Sequence, residues 1–373
     1  MQKIAAWRHR ASLRAHASPF CPRRRLCDHL TMSMKICIVG AGAVGGLVAG
    51  WLGHRVGAEG VQLSVLARGA TLAALQRDGL RVEQAGGPVV VRPLEASDNP
   101  EALGVQDLVV VAVKGPALGA VAPAVQALSG PHTTVLVAMN GIPWWFFDHL
   151  TGPAQGLRLA TVDPGDRIRA HIPTERVLGC VVHLSAGTAA PGVVTHAFGN
   201  RLILGEPAGG TSARLGQVGD LLTRAGFQVE TSERIQREIW FKLWGNMTMN
   251  PISALTGATG DRILDDTLLR AYLNAMMLEA RDIGGRFGIP IEQHPEQRHE
   301  LTRKLGAFRT SMLQDTDAGR PLEIDALLSA VCEVGRRLEV PTPHLDSLLG
   351  MTRLMARTRG LYPEAGPEGE TVS

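Results

Sequence analysis

Aromatic residues are scarce, at 4% of the chain, while glycine is plentiful at 43 residues. That balance leans towards an α/β protein with many tight turns and close backbone approaches. Cysteine offers no scaffold either. Cys21, Cys27, Cys37, Cys180 and Cys332 are odd in number, form no Cys-x-x-Cys pair and show no Cys/His metal spacing. A disulfide framework and a zinc site are therefore not expected, no metal is implied, and a reducing, cytoplasmic setting fits best. Long apolar runs are also missing. The most apolar stretch, Val39 to Gly53, is 15 residues long and Gly-rich, too short for a membrane span. The expectation is a soluble protein without a membrane partner.

The formal charge of +3 is unevenly spread. Residues 1–33 hold Lys3, Arg8, Arg10, Arg14, Arg23, Arg24 and Arg25 against Asp28 alone, so this leader carries +6 and the rest about −3. A slightly acidic body argues against a nucleic-acid partner. An Arg-rich, acid-poor leader is compatible with an organelle transit peptide. The plainer reading is a disordered extension or an upstream start, with Met34 as the functional beginning, because Met34-Lys35 abuts the first strand.

A length of 373 residues, 45% apolar and 20% charged, suits a soluble chain of two domains. Lys35 to Val39 reads as a buried parallel strand, followed by a Gly-rich turn and a helix through Leu47–Leu52. Val61 to Leu66 is a second strand, residues 70–78 are helical up to Gly79, and residues 80–95 suggest an antiparallel hairpin. Asp107 to Val113 is the clearest buried strand, then Ala117 to Leu128 fits a helix and Thr133 to Met139 a strand. A looser stretch covers residues 151–175, before strands at Val177–Ser185 and Val193–Leu204. Beyond about residue 230 only helical patterns remain, at 233–249, 265–287, 296–314, 322–338 and 343–357. The fold class is thus α/β, with a doubly wound parallel sheet of Rossmann type over residues 34–230 and an all-helical domain over 231–362. The tail, residues 363–373, is expected to be disordered.

Gly40-Ala41-Gly42-Ala43-Val44-Gly45 is a G-x-G-x-x-G turn lying directly after a strand and opening a helix. Gly40 permits the tight turn, Gly42 lets a pyrophosphate approach the backbone, and Gly45 permits close helix–sheet packing. The helix N-terminus then offers free N–H groups and the positive end of its dipole. Dinucleotide binding is the implied function. At the end of the second strand stands Leu66-Ala67-Arg68-Gly69, with no Asp or Glu between Val61 and Leu75. An acid there would hold a free ribose 2′-hydroxyl, whereas Arg68 suits a 2′-phosphate, so the expected cofactor is NADP(H). Lys114 and Asn140 follow two further strands, on the edge where a doubly wound sheet binds its ligand.

In the helical half, Lys242, Asn246 and Asn250 are spaced i, i+4, i+8 and share one helix face. Their neighbours Ile239, Trp240, Leu243, Trp244, Met247 and Met249 are apolar, so the helix is largely buried. A buried Lys without an acid nearby in sequence needs a partner or a task. It is either a structural Lys paired with a distant carboxylate or a functional one.

Lys242-x-x-x-Asn246-x-x-x-Asn250-Pro251, continued by Ser253-Ala-Leu-Thr-Gly257, resembles the signature of the ketopantoate reductase family. Ser311-Met-Leu-Gln-Asp315, Glu323-Ile-Asp325 and Asn140-Gly141 resemble its further motifs, in the family's order. The resemblance covers roughly residues 34–355. It implies NADPH-dependent reduction of 2-dehydropantoate, a small-molecule 2-oxo acid, to pantoate. By the same resemblance Lys242 is the general acid, Asn246, Asn250 and Ser311 hold the substrate's carboxylate and hydroxyl, and Asn140 lies near nicotinamide and substrate. Glu323 contacts the cofactor and orients the site. A Lys acts as an acid at neutral pH when burial or nearby positive charge lowers its pKa.

Two departures bear on the substrate. Some members carry another Asn about ten residues beyond the second, where this chain has Ala258-Thr259-Gly260-Asp261. Trp144-Trp145-Phe146-Phe147 either reshape the pocket or pack as core. The alternative is therefore a paralogue acting on another branched or aromatic 2-oxo or 2-hydroxy acid. A third reading, a non-catalytic NADP-binding regulator, predicts a broken site, whereas Lys242, the Asn pair, Ser311 and Glu323 are all retained. A homodimer is compatible with this reading, although no self-complementary surface is legible in the sequence.

Overall fold

β1 (Met34–Val39) is apolar on both faces, as a strand inside a parallel sheet must be. Ile36 and Ile38 enter one hydrophobic core while Cys37 and Val39 enter another on the opposite side. The pleat imposes that alternation. The computed structural model describes residues 34–364. The expectations for the leader, with Cys21 and Cys27, and for residues 365–373 of the tail lie outside the described residues.

After β1 come α1 (Ala43–Arg55), β2 (Val61–Leu66), α2 (Gly69–Asp78), β3 (Leu80–Glu83), β4 (Val89–Val91) and β5 (Glu95–Ser97). Then follow α3 (Pro100–Leu103), β6 (Gln106–Val111), α4 (Gly115–Ala127), β7 (Ser129–Val137) and α5 (Arg167–His171). The long strands β8 (Val177–Ala190) and β9 (Val193–Gly205) precede α6 (Ala213–Arg224) and β10 (Gln228–Thr231). The regular elements described from Ile235 onwards are helical: α7 (Ile235–Thr256), α8 (Gly260–Asp265), α9 (Thr267–Arg286), α10 (Pro295–Arg303), α11 (Ser311–Asp317), α12 (Ala330–Arg337) and α13 (Pro343–Thr358).

The strands form one sheet in the order β4-β3-β9-β8-β7-β6-β1-β2-β5, with β10 added on β9. From β5 through β2, β1, β6 and β7 to β8 every pairing is parallel. The pairs β3/β4 and β8/β9 are antiparallel, so the sheet is mixed rather than purely parallel. The chain runs outwards from β1 to β2 and returns to β6 on the other side of β1. The point where the order reverses lies between β1 and β6, and a ligand crevice is expected beyond the carboxyl ends there.

One face of the sheet packs on α1 and α6. On the other, Val109, Val111, Val135 and Val137 share a core with Trp240, Trp244 and Met247 of α7. Trp144, Trp145, Phe146 and Phe147 are at most 4% exposed and belong to this second core. The rings of Phe146, Phe147 and Trp240 meet Phe287 edge to face at 5.9, 5.5 and 4.8 Å, the arrangement that their quadrupoles favour. These aromatics pack as core.

The sequence reading needs three corrections. The helix expected over 296–314 is two helices. α10 ends at Arg303, Gly306 takes φ +64, and the Thr310 hydroxyl accepts from the Leu313 N–H to start α11 afresh. The helix expected over 322–338 opens as a π-helical turn, Asp325–Ser329, before α12. And α3, α5, α6, β5 and β10 go beyond what the sequence pattern predicts; of these α6 is a strongly amphipathic helix. No described helix is long and apolar enough to cross a membrane.

Candidate active site

Gly40, Gly42 and Gly45 sit in three different surroundings. Gly40 has φ +99, and a Cβ there would fall 2.7 Å from Val113 Cγ1. At Gly45 a Cβ would lie 2.0 Å from the Gly40 carbonyl oxygen, so α1 sits directly against the turn. Gly42 is different: its φ of −77 is open to any residue, and a Cβ would meet no protein atom within 4 Å. The fold itself gives no reason for glycine at 42. A diphosphate over the turn would supply one, since it would have to approach this backbone and the N–H groups of Ala43 and Val44 at the start of α1. Ala41, buried beneath the turn, supports it from the core.

Arg68 ends the β2 connection as the exposed N-cap residue of α2. Its side chain has no hydrogen bond or ion pair among the described residues. A forked cation at the carboxyl edge of β2 suits a dianionic phosphate. Together with Gly42, these features fit a phosphorylated dinucleotide.

Between the sheet and the helices runs a seam of backbone contacts. Gly141, just after β7, has φ +82, and a Cβ there would lie 2.3 Å from the Ala326 carbonyl oxygen. The Ile142 N–H donates to that same oxygen at 2.9 Å. Ala326 sits in the π-helical turn, whose wider winding leaves carbonyls free of their usual helical partners. One turn earlier, Glu323 accepts from the Gly115 N–H at 3.1 Å, at the start of α4. Lys114 Nζ lies 2.5 Å from Asp315 Oδ1, which also takes Arg320 Nε at 2.9 Å. Lys114 therefore reaches across to α11, a partner the sequence did not suggest.

Lys242 meets this seam. Its Nζ donates to Asn140 Oδ1 at 2.8 Å and to the Val182 carbonyl on β8 at 2.6 Å. One N–H of the ammonium remains for a further acceptor. Burial pulls its pKa from 10.5 to about 8; Glu323 and Cys180 oppose the shift while the Arg298 charge adds to it. Asn140 in turn hydrogen-bonds Glu323, whose pKa burial raises despite help from the Gly115 N–H and Lys114. Next to Val182, His183 is pushed down to about 4 by burial, then by Lys242, Arg201 and Arg298. It is neutral at physiological pH.

Asn246 and Asn250 line a pocket on the same helix, α7, with Met249, Leu273, Met277, Leu305 and Phe308 as its apolar wall. Gly260 admits the Phe308 ring, since a Cβ at 260 would lie 2.1 Å from Phe308 Cε1. The Ala258–Asp261 segment thus helps seat an aromatic ring. Ser311 opens α11, which packs on α7, and is exposed. Arg298 of α10 also borders the pocket. Sequence reading missed it because α10 looks like an ordinary polar surface helix. The one available hint was Gly245, a small residue between Trp244 and Asn246.

The arrangement brings a glycine-lined phosphate turn, a cation at the end of β2 and an acid of lowered pKa to one edge of the sheet. Comparison with known proteins shows the family. Residues 36–209 match the family model Ketopantoate reductase PanE/ApbA, and residues 234–356 match Ketopantoate reductase PanE/ApbA C terminal. A 2-dehydropantoate 2-reductase from Mesorhizobium japonicum is 44% identical over 88% of this chain and 100% of its own. A crystal structure from Ralstonia solanacearum MolK2, provisionally described as a ketopantoate reductase, is 58% identical with a TM-score of 0.83. It covers 88% of this chain and 100% of its own. A 2-dehydropantoate 2-reductase structure from Methylococcus capsulatus has 25% identity and a TM-score of 0.73, over 87% of this chain and 98% of its own. With both of its halves matched in order, the chain belongs to the ketopantoate reductase family of pyridine-nucleotide-dependent oxidoreductases.

Proposed function

We propose that this protein reduces 2-dehydropantoate to pantoate, with NADPH as hydride donor. The observation that carries the reading is Lys242: an ammonium with a pKa near 8, hydrogen-bonded to Asn140 just beyond β7 and keeping one N–H free. The 44% identical relative named 2-dehydropantoate 2-reductase supports the choice of substrate. In this division residues 34–230 bind the cofactor, and residues 231–362 bind the substrate and carry the acid.

NADPH, when bound, supplies a hydride to C2 of the 2-oxo acid. The turn from Gly40 to Gly45 and the N-terminus of α1 would hold the diphosphate, Arg68 would take the 2′-phosphate, and Lys114, Asn140 and Glu323 would serve the nicotinamide end. Lys242 offers its remaining N–H to the C2 carbonyl oxygen and stabilises the negative charge that grows there. As the C–H bond forms, Lys242 gives this oxygen its proton, leaving a 2-hydroxy acid and a neutral amine that water reprotonates. At neutral pH the ammonium form predominates, and a pKa near 8 makes it a stronger acid than an ordinary lysine. Asn140 fixes the amine's position, and Glu323 holds Asn140. Asn246, Asn250 and Ser311 orient the substrate's carboxylate and hydroxyl.

The apolar wall of Met249, Leu273, Met277, Leu305 and Phe308 favours a second reading, in which a different branched or aromatic 2-oxo acid is preferred. One assay separates the two. NADPH consumption is followed with 2-dehydropantoate beside a panel of branched and aromatic 2-oxo acids, and repeated with NADH. Brisk turnover of 2-dehydropantoate supports the first reading. Negligible turnover of it with rapid reduction of another acid selects the second.

A further inference from the structure

We infer that Arg298 is the anchor for the substrate's carboxylate, a role that neither the sequence motifs nor the family resemblance assigns to it. The inference deepens the function proposed above and rests on it. Two other charged side chains of α10, Glu296 and Arg303, have partners. Glu296 takes Asn274 at 2.8 Å and Arg270 at 3.7 Å, and Arg303 takes Asp265 at 2.6 Å. Arg298 has no ion pair among the described residues, and its buried Nε has no hydrogen-bond partner. Burying a cation without a carboxylate costs several kcal/mol in general, and here burial is the one influence that moves the Arg298 pKa, downwards.

Its guanidinium is nevertheless held in one place. It lies over the Phe241 ring, 5.0 Å from the centroid. It also rests on the backbone of Gly245, where a Cβ would come within 3.2 Å of both Nε and Nη2. Trp244 on one side and Asn246 on the other are large, so the glycine reads as a seat for the guanidinium plane. Phe241 and Gly245 flank Lys242 on α7, and Arg298 faces the same pocket as Asn246 and Asn250.

Lys242 is close enough to Arg298 to feel its charge, and the pocket lining contains no acid. Two cations of this kind call for an anion. A planar carboxylate matches the guanidinium fork, while the ammonium is left for the neighbouring carbonyl oxygen. A 2-oxo acid carries both groups on adjacent carbons.

The test uses 3-methyl-2-oxobutanoate and its neutral amide, 3-methyl-2-oxobutanamide, as calorimetric probes of the full-length protein. The wild type, Arg298→Met and Arg298→Lys are compared. Arg298→Met is expected to weaken acid binding about tenfold to a hundredfold, the range for a lost hydrogen bond to a charged group. Amide binding and NADPH affinity stay unchanged. Arg298→Lys restores the charge without the fork and recovers part of the loss, and it decides the matter if the Met variant fails to fold. Acid binding equal in all three proteins, or lost in step with amide binding, overturns the assignment. Reduction of the acid, measured alongside, separates the two claims. Turnover with unchanged KM in the variants removes Arg298 and leaves the reductase. Arg298-dependent binding of the acid, with no 2-oxo acid of the panel reduced by the wild type, removes the reductase and leaves Arg298.

Discussion

Lys242 and Asn140 stand 102 positions apart in the chain and 2.8 Å apart in the fold. One comes from the middle of α7 and the other from the loop after β7. Their hydrogen bond ties an ammonium group of α7 to the carboxyl edge of the sheet.

The first prediction concerns pH. Reduction needs Lys242 protonated, and its pKa is drawn to about 8 by burial, with Arg298 adding to the shift and Cys180 and Glu323 resisting it. kcat/KM for reduction should hold below pH 8 and fall about tenfold per unit above it, while oxidation of the 2-hydroxy acid should rise over the same range. A reductive profile flat from pH 7 to 10 would remove Lys242 as the acid.

The Lys242→Met exchange supplies the second. Turnover should fall by roughly 100- to 10,000-fold, the usual worth of a positioned acid, while NADPH affinity changes little because the phosphate turn is untouched. Steady-state kinetics and fluorescence titration with NADPH check the two halves of this statement.

A third follows from the same group through stability. In the unfolded chain Lys242 keeps its proton up to about 10.5, whereas in the folded protein it releases it near 8. Between these limits the unfolded chain binds more protons, so the fold gains stability as pH rises through the window. The Met variant lacks this gain. The stability difference between the two proteins should move towards the wild type by no more than about 3 kcal/mol between pH 7 and 10.5. Urea unfolding at both pH values measures it, and a difference independent of pH would contradict it.

Substitutions at two glycines of the phosphate turn should behave oppositely. A Cβ at Gly42 meets no protein atom within 4 Å and needs no unusual φ, so Gly42→Ala should shift Tm by under a few degrees while NADPH affinity drops at least about tenfold. Gly40→Ala forces a side chain into φ +99 beside Val113 and should destabilise the fold by about 1–3 kcal/mol. Calorimetry with and without NADPH distinguishes the two.

Arg68→Ala should raise KM for NADPH about tenfold to a hundredfold and leave KM for NADH within about twofold, as expected when a charge-assisted bond to the 2′-phosphate is lost. An equal rise for both cofactors would detach Arg68 from the phosphate.

Apart from β5, the strands of the parallel run and the glycine turn are legible because each is a local pattern: an apolar run, three glycines at fixed spacing, a helix after them. Val61–Leu66 is bounded as expected. The helical half was readable in outline only. Its breaks depend on single caps, such as Thr310 on Leu313, and the π-helical turn arises where the chain packs on Gly141. Lys242, Asn246 and Asn250 were found from spacing on one helix. Their partners were not, because the Val182 carbonyl, Asp315 beside Lys114, and Arg298 on Gly245 are long-range meetings without a local signal. A backbone carbonyl carries no residue identity at all.

The Val182 carbonyl sets where the ammonium of Lys242 is held. Along a strand, successive carbonyls point to opposite neighbours, so the one that receives the ammonium depends on which residue of β8 faces α7. The antiparallel ladder fixes this by pairing Val182 with Leu202 and His183 with Arg201. A slip of one position would turn the acceptor away and present an N–H in its stead, dipole reversed, to a positive charge. The placement of the Lys242 ammonium is thus inherited from the alignment of a hairpin some sixty residues upstream of it.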